Sequence, residues 1–397
     1  MPPWDSGEVT VYLDHAATAP LRPRARAAWL EAADVLGNAS SIHVAGQNAR
    51  RVLEESRETV AEALGCDPPE VVFTSGGTES VNLAIKGLWQ ARSGGDALVL
   101  PDGEHHATME TVSWLAATTG AVVRAVPIDA HGAIDVERFT DALPGAGTAT
   151  ALLANNETGT VNEVAALCAA AAAAGVPLHL DAVAAFGRVP LAFRDLRGTA
   201  AGPGGLSAMS VSAHKIGGPV GVGALVVART ARLYPQLHGG GQQRGLRAGT
   251  QDVAGAAAFA AAAAEATAER ESEAKRLDAL TERMLRGITA AVPDARATTH
   301  PLRSLPGHLQ LVIPGAPGET VLFLLDRSGV AVSTGSACQA GVAEPSHVAV
   351  AMGLGEADSR CVLRISMGRL SSDADVDAFL DALPDAVAVA RRAAAAF

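Results

Sequence analysis

One lysine of the chain occupies a position where an amine could react. Lysine occurs at only three positions, Lys86, Lys215 and Lys275, and arginine is used elsewhere. Arginine cannot supply a neutral amine because its guanidinium stays protonated. Lys86 and Lys275 lie in helical patterns, whereas Lys215 follows the strand-like run 208–211 and opens the glycine-rich turn 216–219. This position favours amine chemistry, although the stretch alone also fits an ordinary loop lysine.

A second stretch has the composition of an anion site. The run Val71–Thr74 predicts a buried strand, and Ser75-Gly76-Gly77-Thr78-Glu79-Ser80 follows it before an apolar helix that reaches about Gln90. Free backbone N–H groups and the positive end of the helix dipole would face a phosphate there. The stretch matches neither the Walker nor the dinucleotide glycine pattern. Taken alone, it also fits a capped helix start.

The elements that must position these residues alternate along the chain. Apolar strands interleave with helices between residues 71 and 180, which favours an α/β fold with a mostly parallel central sheet. Ligands of such sheets collect at the carboxyl ends of the strands. The polar groups expected at those ends are Glu104-His105-His106, Asn155-Asn156-Glu157, Asp181 and His214-Lys215.

Together these residues predict a pyridoxal phosphate site. The cofactor needs a lysine for covalent attachment, an acid at its ring nitrogen, an aromatic face and an anion cradle. Lys215, Asp181, His105 and the turn at Gly77 and Thr78 supply these four in order.

A chain of 397 residues is expected to form more than one core. A long alanine-rich helix is predicted from about Val253 to Val292, and a smaller α/β lobe follows it. We therefore predict a large cofactor-binding domain at residues 16–260. The small domain would comprise residues 1–15 and 261–397. Near the N-terminus, a helix from about Arg24 to Val35 is expected to end at Gly37 with a left-handed cap.

Composition argues against several classes of partner. The formal net charge is -11 and no basic run occurs, which argues against direct nucleic-acid binding. The alanine-rich runs are too short to span a bilayer, and no secretory signal is visible, so we expect a cytoplasmic protein without membrane association. The cysteines lack metal-ligand spacing, so no metal site is predicted.

Cys338 and Arg364 differ from the rest of the second half of the chain. Cys66, Cys168 and Cys361 have apolar or helical neighbours typical of packing residues, whereas Cys338 lies in a run of Gly, Ser and Ala. Such a loop can present a thiol to substrate, although a chance loop cysteine has the same setting. Arg364 interrupts a strand pattern, and a substrate carboxylate would suit its planar fork.

The motifs at residues 75–80, 154–157, 212–215 and 335–338 occur in an order that resembles the cysteine desulfurases of the NifS/IscS type. The resemblance covers nearly the whole chain, from Tyr12 to Ser366. It implies the aminotransferase-like fold of pyridoxal-phosphate enzymes (fold type I). The cysteine loop, unbroken through His347, resembles the longer-loop group that usually serves iron–sulfur assembly and tRNA thiolation.

The resemblance implies that L-cysteine is converted to L-alanine. Sulfur would pass to Cys338 as a persulfide and then to an acceptor protein, a scaffold or a thiolation enzyme. Lys215, Cys338 and His105 would be catalytic, and Arg364 and Asn155 would contact the substrate. The residues implied in cofactor binding are Gly77, Thr78, His105, Asn155, Asp181, Ser212, His214, Lys215 and Thr250. Thr250 would reach in from a second subunit, which implies a homodimer.

One departure from the family pattern keeps other functions open. Ala184 stands where the family has a glutamine that bonds the ring hydroxyl. Losing that donor is expected to alter the protonation equilibrium of the bound cofactor. Another lyase, acting on selenocysteine or a C–S substrate, is therefore an alternative. A non-catalytic sulfur-relay partner is a second one, although the retained Lys215, Asp181, His105 and Cys338 argue against it.

Overall fold

The computed structural model of the protein describes residues 11–200, 202–334 and 345–395. Cys338 therefore lies outside the described residues. The strands are β1 (Val11–Tyr12), β2 (Val71–Thr74), β3 (Ala97–Pro101), β4 (Val122–Val126), β5 (Ala146–Leu152), β6 (Pro177–Asp181), β7 (Gly205–Ser212), β8 (Gly223–Val227), β9 (Arg296–Ala297), β10 (His308–Val312), β11 (Val330–Ala331) and β12 (Val362–Ser366). The α-helices are α1 (Pro23–Ala33), α2 (Val44–Leu64), α3 (Gly77–Ala91), α4 (His106–Thr119), α5 (Val136–Ala142), α6 (Val164–Ala173), α7 (Phe193–Arg197), α8 (Val253–Ala291), α9 (Gly318–Arg327), α10 (His347–Ala351), α11 (Glu356–Ser359) and α12 (Asp373–Ala394).

The central sheet has seven strands in the order β2-β8-β7-β6-β5-β3-β4. All run parallel except β8, which is antiparallel to both of its neighbours. Strands β5, β7 and β8 are buried along their full length because helices cover both faces. The predicted mostly parallel α/β fold is confirmed.

The parallel strands bring distant residues to one edge of the sheet. In the register of β5 and β6, Leu152 pairs with Asp181, and in that of β6 and β7, Asp181 pairs with Ser210. Strand β7 ends two residues later, at Ser212. The carboxyl ends of three neighbouring strands therefore meet where the sequence predicted a site.

Helix α8 joins two hydrophobic cores. Its first half, including Phe259, packs into the core under the central sheet, where its alanines lie close to α1 and α2. Its second half, including Met284 and Ile288, packs into a separate core with β10, β12 and α12. One continuous helix thus ties the two cores together. The boundary between residues 260 and 261 remains a prediction.

The second core lies around a smaller sheet. Strands β9, β10 and β12 pair antiparallel, while β1 pairs in parallel with β11 and Asp14 bridges to Ser366. The N-terminal strand therefore joins elements from the last third of the chain. Among the described helices, none is long and apolar enough to cross a membrane.

Candidate active site

Lys215 stands just beyond the carboxyl end of β7. The chain leaves the strand in a 3₁₀ turn, Ala213–Ile216, which closes at Gly217 in the left-handed region at φ 82°. The Lys215 Nζ donates to the backbone oxygens of Ala16 and Ala17, the latter at 3.0 Å. Burial, and after it the charge of Arg364, lowers the Lys215 pKa to about 8. A neutral amine is therefore accessible close to neutral pH.

A cleft of about 220 Å³ opens beside this lysine. Its walls come from the ends of β5 and β6, the N-termini of α3 and α4, and the turn after β7. The lining residues are Gly77, Thr78, Val81, His105, Ala107, Leu152, Asn156, Asp181, Val183, Ala184, His214 and Lys215. Six residues predicted from the sequence thus meet in one cavity: Gly77, Thr78, His105, Asp181, His214 and Lys215.

Asp181 is the buried acid of the cleft. Its Oδ1 accepts a hydrogen bond from the Val183 N–H at 2.9 Å, which fixes the carboxylate at the strand end. Burial raises the Asp181 pKa to about 6, although the charge of Lys215 opposes the rise. A cationic ring nitrogen would pair with the ionised carboxylate and so offset the free energy that burial of its charge requires.

His105 presents a neutral aromatic ring to the cleft. As the N-cap of α4, its Nδ1 accepts from the Ala107 N–H at 3.0 Å, which fixes the orientation of the imidazole. Burial, followed by the charge of Lys215, lowers the His105 pKa to about 4. The ring is therefore uncharged at neutral pH and suits stacking on another ring.

The start of α3 has the features of an anion cradle. Its N-cap, Gly76, lies at φ 151° and supplies no side-chain cap, so N–H groups of the first turn remain available. Close to this N-cap, the Ser212 Oγ is buried without a hydrogen-bond partner. A Cβ at Gly77 would come within 2.8 Å of Val183, so only glycine leaves this space open. These features fit the phosphate group of the predicted cofactor.

The structure places Asn156, and not Asn155, in the cleft wall. The Asn155 Nδ2 donates to the Gly103 oxygen at 3.0 Å, and its Oδ1 accepts from the N–H groups of Glu157 and Thr158. These bonds shape the turn after β5 and leave the Asn155 amide committed. The Asn156 Oδ1 is instead buried without a partner. Successive residues leaving a strand face opposite ways, and the sequence alone does not tell which one faces the cleft.

Arg364 lies behind the cleft and has an anionic partner within the chain. It is buried on β12, and its Nη2 pairs with Asp14 Oδ1 at 2.9 Å. Its Nη1 donates to the backbone oxygen of Asn156 at 2.9 Å. The Arg364 Nε is buried without an acceptor, so one donor of the fork remains unused. The strand arginine is therefore held by Asp14 and is not among the residues that line the cleft.

The remaining predicted residues lie elsewhere. Thr250 is exposed and does not line the cleft of its own chain, and Cys338 lies outside the described residues. Ala184, the departure from the family pattern, does line the cleft.

Sequence reasoning placed Glu104, which precedes His105, at a strand end but assigned it no role. Its Oε1 accepts from the Leu152 N–H at 2.6 Å, while its Oε2 is buried without a partner. Burial and the nearby Asp181 raise the Glu104 pKa well above its ordinary value. Beside Asp181 there is therefore a second buried carboxyl group, whose ionisation is opposed by burial and by the Asp181 charge.

Comparisons with known proteins agree with this geometry. The family model for aminotransferase class-V matches residues 11–379. An IscS-like cysteine desulfurase of Mycobacterium tuberculosis is 45% identical, over 97% of this chain and 98% of that protein.

Two solved structures have the same fold. A NifS-like protein superimposes with a TM-score of 0.87 at 30% identity, over 96% of this chain and 100% of the other. SspA, solved in complex with cysteine, superimposes with a TM-score of 0.76 at 29% identity, over 90% of this chain and 98% of the other. The predicted resemblance is confirmed: the chain belongs to the aminotransferase class-V family and, within it, to the cysteine desulfurases of the NifS/IscS type.

Proposed function

We propose that this protein is a pyridoxal-phosphate-dependent cysteine desulfurase, which converts L-cysteine to L-alanine and receives the sulfur on Cys338. The observation that carries the proposal is the cleft in which Lys215, with its lowered pKa, shares a wall with the buried Asp181. The unpartnered Ser212 Oγ near the start of α3 adds a place for the phosphate group.

Different residues in and around the cleft would bind different parts of the cofactor. Ser212, His214 and the turn at Gly77 and Thr78 would hold the phosphate, and Asp181 would pair with the ring nitrogen. His105 would lie against the ring face. We transfer the role at the ring hydroxyl from Asn155 to Asn156, because the Asn156 amide oxygen is unpartnered and its side chain lines the cleft. When bound, pyridoxal phosphate supplies a conjugated ring that stores the electrons left after the substrate loses its α-proton.

Lys215 would have two roles: it would attach the cofactor to the protein, and it would accept the α-proton of the substrate. The free amine of Lys215, whose pKa is lowered to about 8, can accept the α-proton of cysteine. The backbone oxygens of Ala16 and Ala17 accept hydrogen bonds from Nζ, so they hold the nitrogen near the cleft in either protonation state.

Cys338 would take the sulfur. Its thiolate attacks the substrate sulfur, an S–S bond forms, and the Cβ–S bond breaks as its electron pair passes to the carbon skeleton. Protonation of that carbon releases alanine and leaves a persulfide on Cys338. Arg364, with one unused donor, would orient the substrate carboxylate in this step.

The persulfide would then pass to an acceptor protein in the cytoplasm, which would be an iron–sulfur scaffold or a tRNA-thiolation enzyme.

We further propose a homodimer in which Thr250 reaches the phosphate of the cofactor bound to the partner subunit. The exposure of Thr250, away from the cleft of its own chain, supports this arrangement. Large exposed apolar side chains at Leu36, Ile42 and Val44 supply surface for a subunit contact.

One assay tests the function. L-cysteine is supplied with and without a thiol reductant, and alanine and sulfide are measured for the parent, for Cys338→Ala and for the control Cys361→Ala. Cys361 is a buried thiol whose pKa burial raises, so its loss should leave alanine formation intact. Loss of alanine formation in Cys338→Ala alone supports the proposal. Activity that survives in Cys338→Ala indicates a direct lyase, and a protein without a visible chromophore indicates a non-catalytic partner.

A further inference from the structure

A second cavity lies on another side of Lys215. It measures about 70 Å³ and is lined by the segment 15–22, by the segment after β6, by α8, and by the loops around Pro306 and Gly368. Lys215, Arg188 and Arg270 line it together. The charged side chains that line the cavity with the reactive lysine are Arg22, Arg188, Arg270, Arg369, Glu269 and Glu273.

Arg188 is fixed in this cavity by neutral acceptors. Its Nη1 donates to the backbone oxygens of Pro306 at 3.1 Å and Met367 at 3.2 Å. Among the described residues it forms no ion pair with a carboxylate. Burial lowers the Arg188 pKa to about 10, so the guanidinium remains charged at neutral pH. The carboxylates that line the cavity pair with other arginines, Glu269 with Arg22 at 2.7 Å and Glu273 with Arg276 at 2.9 Å. Arg188 therefore has no carboxylate partner of its own among the described residues.

The other charged groups that face Lys215 largely balance one another. Arg364 and Asp14 form an ion pair at 2.9 Å, so their fields at Lys215 oppose each other. Asp181 acts on the lysine from β6, and it would be offset by the ring nitrogen of the bound cofactor.

The histidines around Lys215 add no charge. Their pKa values are lowered to about 4 for His105 and His214 and to about 3 for His308, so all three are neutral at neutral pH. Among the described groups that act on Lys215, Arg188 is the cation left without a counter-charge.

We propose that Arg188 is a positioning residue that acts through Lys215. Its charge, fixed by two carbonyl oxygens at the wall of the cavity shared with Lys215, disfavours a proton on the lysine nitrogen and so keeps that nitrogen ready to accept the α-proton. This role rests on the proposed function. An arginine suits it because a guanidinium retains its charge when half-buried.

The test is a pH titration of the visible absorbance of the holoenzyme, which reports protonation of the Lys215 nitrogen attached to the cofactor. Arg188→Gln removes the charge but keeps a side-chain amide that can donate to the two carbonyls. Loss of a nearby cation makes the protonated nitrogen easier to form, so the midpoint should rise by roughly one pH unit. Arg188→Lys retains a charge and should bring the midpoint back toward the parent value.

Arg270→Gln is the matched control, because Arg270 lines the same cavity from α8 but does not act on Lys215. Its midpoint should equal that of the parent. Equal midpoints in Arg188→Gln and the parent, or equal shifts in the two glutamine variants, overturn the inference. The thermal unfolding midpoint of each holoenzyme shows that the variants are folded. A parent with no visible chromophore contradicts the proposed function instead, so the two failures are distinguishable.

Discussion

Asp181 and Lys215 are both less easily ionised in the cleft than in water, since burial raises the pKa of the acid to about 6 and lowers that of the amine to about 8. Both shifts oppose folding of the cofactor-free chain near neutral pH, because each group is charged at lower cost in the unfolded chain. A bound cofactor that pairs with the acid and bonds the amine removes both costs. The cleft is therefore more stable when filled.

This argument predicts the stability of Asp181→Asn. An acid whose pKa is raised on folding stabilises the fold at low pH and loses that contribution as the pH rises from about 4 to about 6. The cofactor-free variant should therefore be about 3 kcal/mol more stable than the parent at pH 7 and close to it below pH 4. Urea unfolding at a series of pH values measures this. Asp96→Asn, at an exposed ion pair, is the control and should change the stability little. An Asp181→Asn variant that is less stable than the parent at pH 7 would contradict the prediction.

Ala184 gives a second prediction at this scale. Its methyl group lines the cleft and offers no donor. Ala184→Gln supplies an amide that can reach the ring hydroxyl, which should shift the pH midpoint of the cofactor absorbance from its value in the parent. Identical midpoints would show that no donor is missing in the parent.

Residue types predicted much of the site. Lys215, Asp181 and His105 each follow a strand, and the fold brings them into one cleft. The distinction between Asn155 and Asn156 depends on which way a turn directs two identical side chains, and the role of Glu104 depends on its complete burial. Neither property can be read from residue type or spacing.

At the scale of elements, long-range pairing decided what the sequence left open. Strand β8 was not predicted. It is the one antiparallel strand among the described strands of the central sheet, and its place between β2 and β7 is set by pairing that residue types do not reveal.

Helix α1 ends at Ala33, and its cap is not Gly37 as predicted. A Cβ at Gly37 would lie 2.2 Å from the Ala45 oxygen, so that glycine permits a close approach to α2 and does not cap α1.

The loop 238–250 contains a buried amide, Gln243, whose contacts yield a prediction. Gln243 adopts φ 49°, and its Oε1 accepts from the Phe73 N–H at 3.1 Å and from Arg57 at 2.8 Å. Gln243→Ala removes the acceptor of the Phe73 N–H and one of the two acceptors of Arg57 Nη1, and should destabilise the protein by about 2 kcal/mol. Chemical denaturation measures the loss. The exposed Gln236→Ala should cost less than about 0.5 kcal/mol, and equal costs would contradict the assignment.

At the scale of the molecule, α8 connects the core under the central sheet to the core of the smaller sheet. Met284 is fully buried in the second core, whereas Leu285 beside it is 36% exposed. Met284→Ala should cost about 3 kcal/mol, and Leu285→Ala less than about 1 kcal/mol. Equilibrium unfolding of both variants checks the difference. Similar losses at the two positions would contradict the packing of α8 against the smaller sheet.

The overall arrangement was predictable from the alternation of strands and helices. The two hydrophobic cores agree with the expectation that a chain of this length forms more than one core.

The central claim is that Lys215 holds the cofactor. Borohydride reduction of the holoenzyme, followed by peptide mass spectrometry, tests this directly because the chain has only Lys86 and Lys275 as other lysines. We predict the mass of the reduced cofactor on the peptide containing Lys215 alone. Attachment at Lys86 or Lys275, or no covalent attachment, would contradict the account.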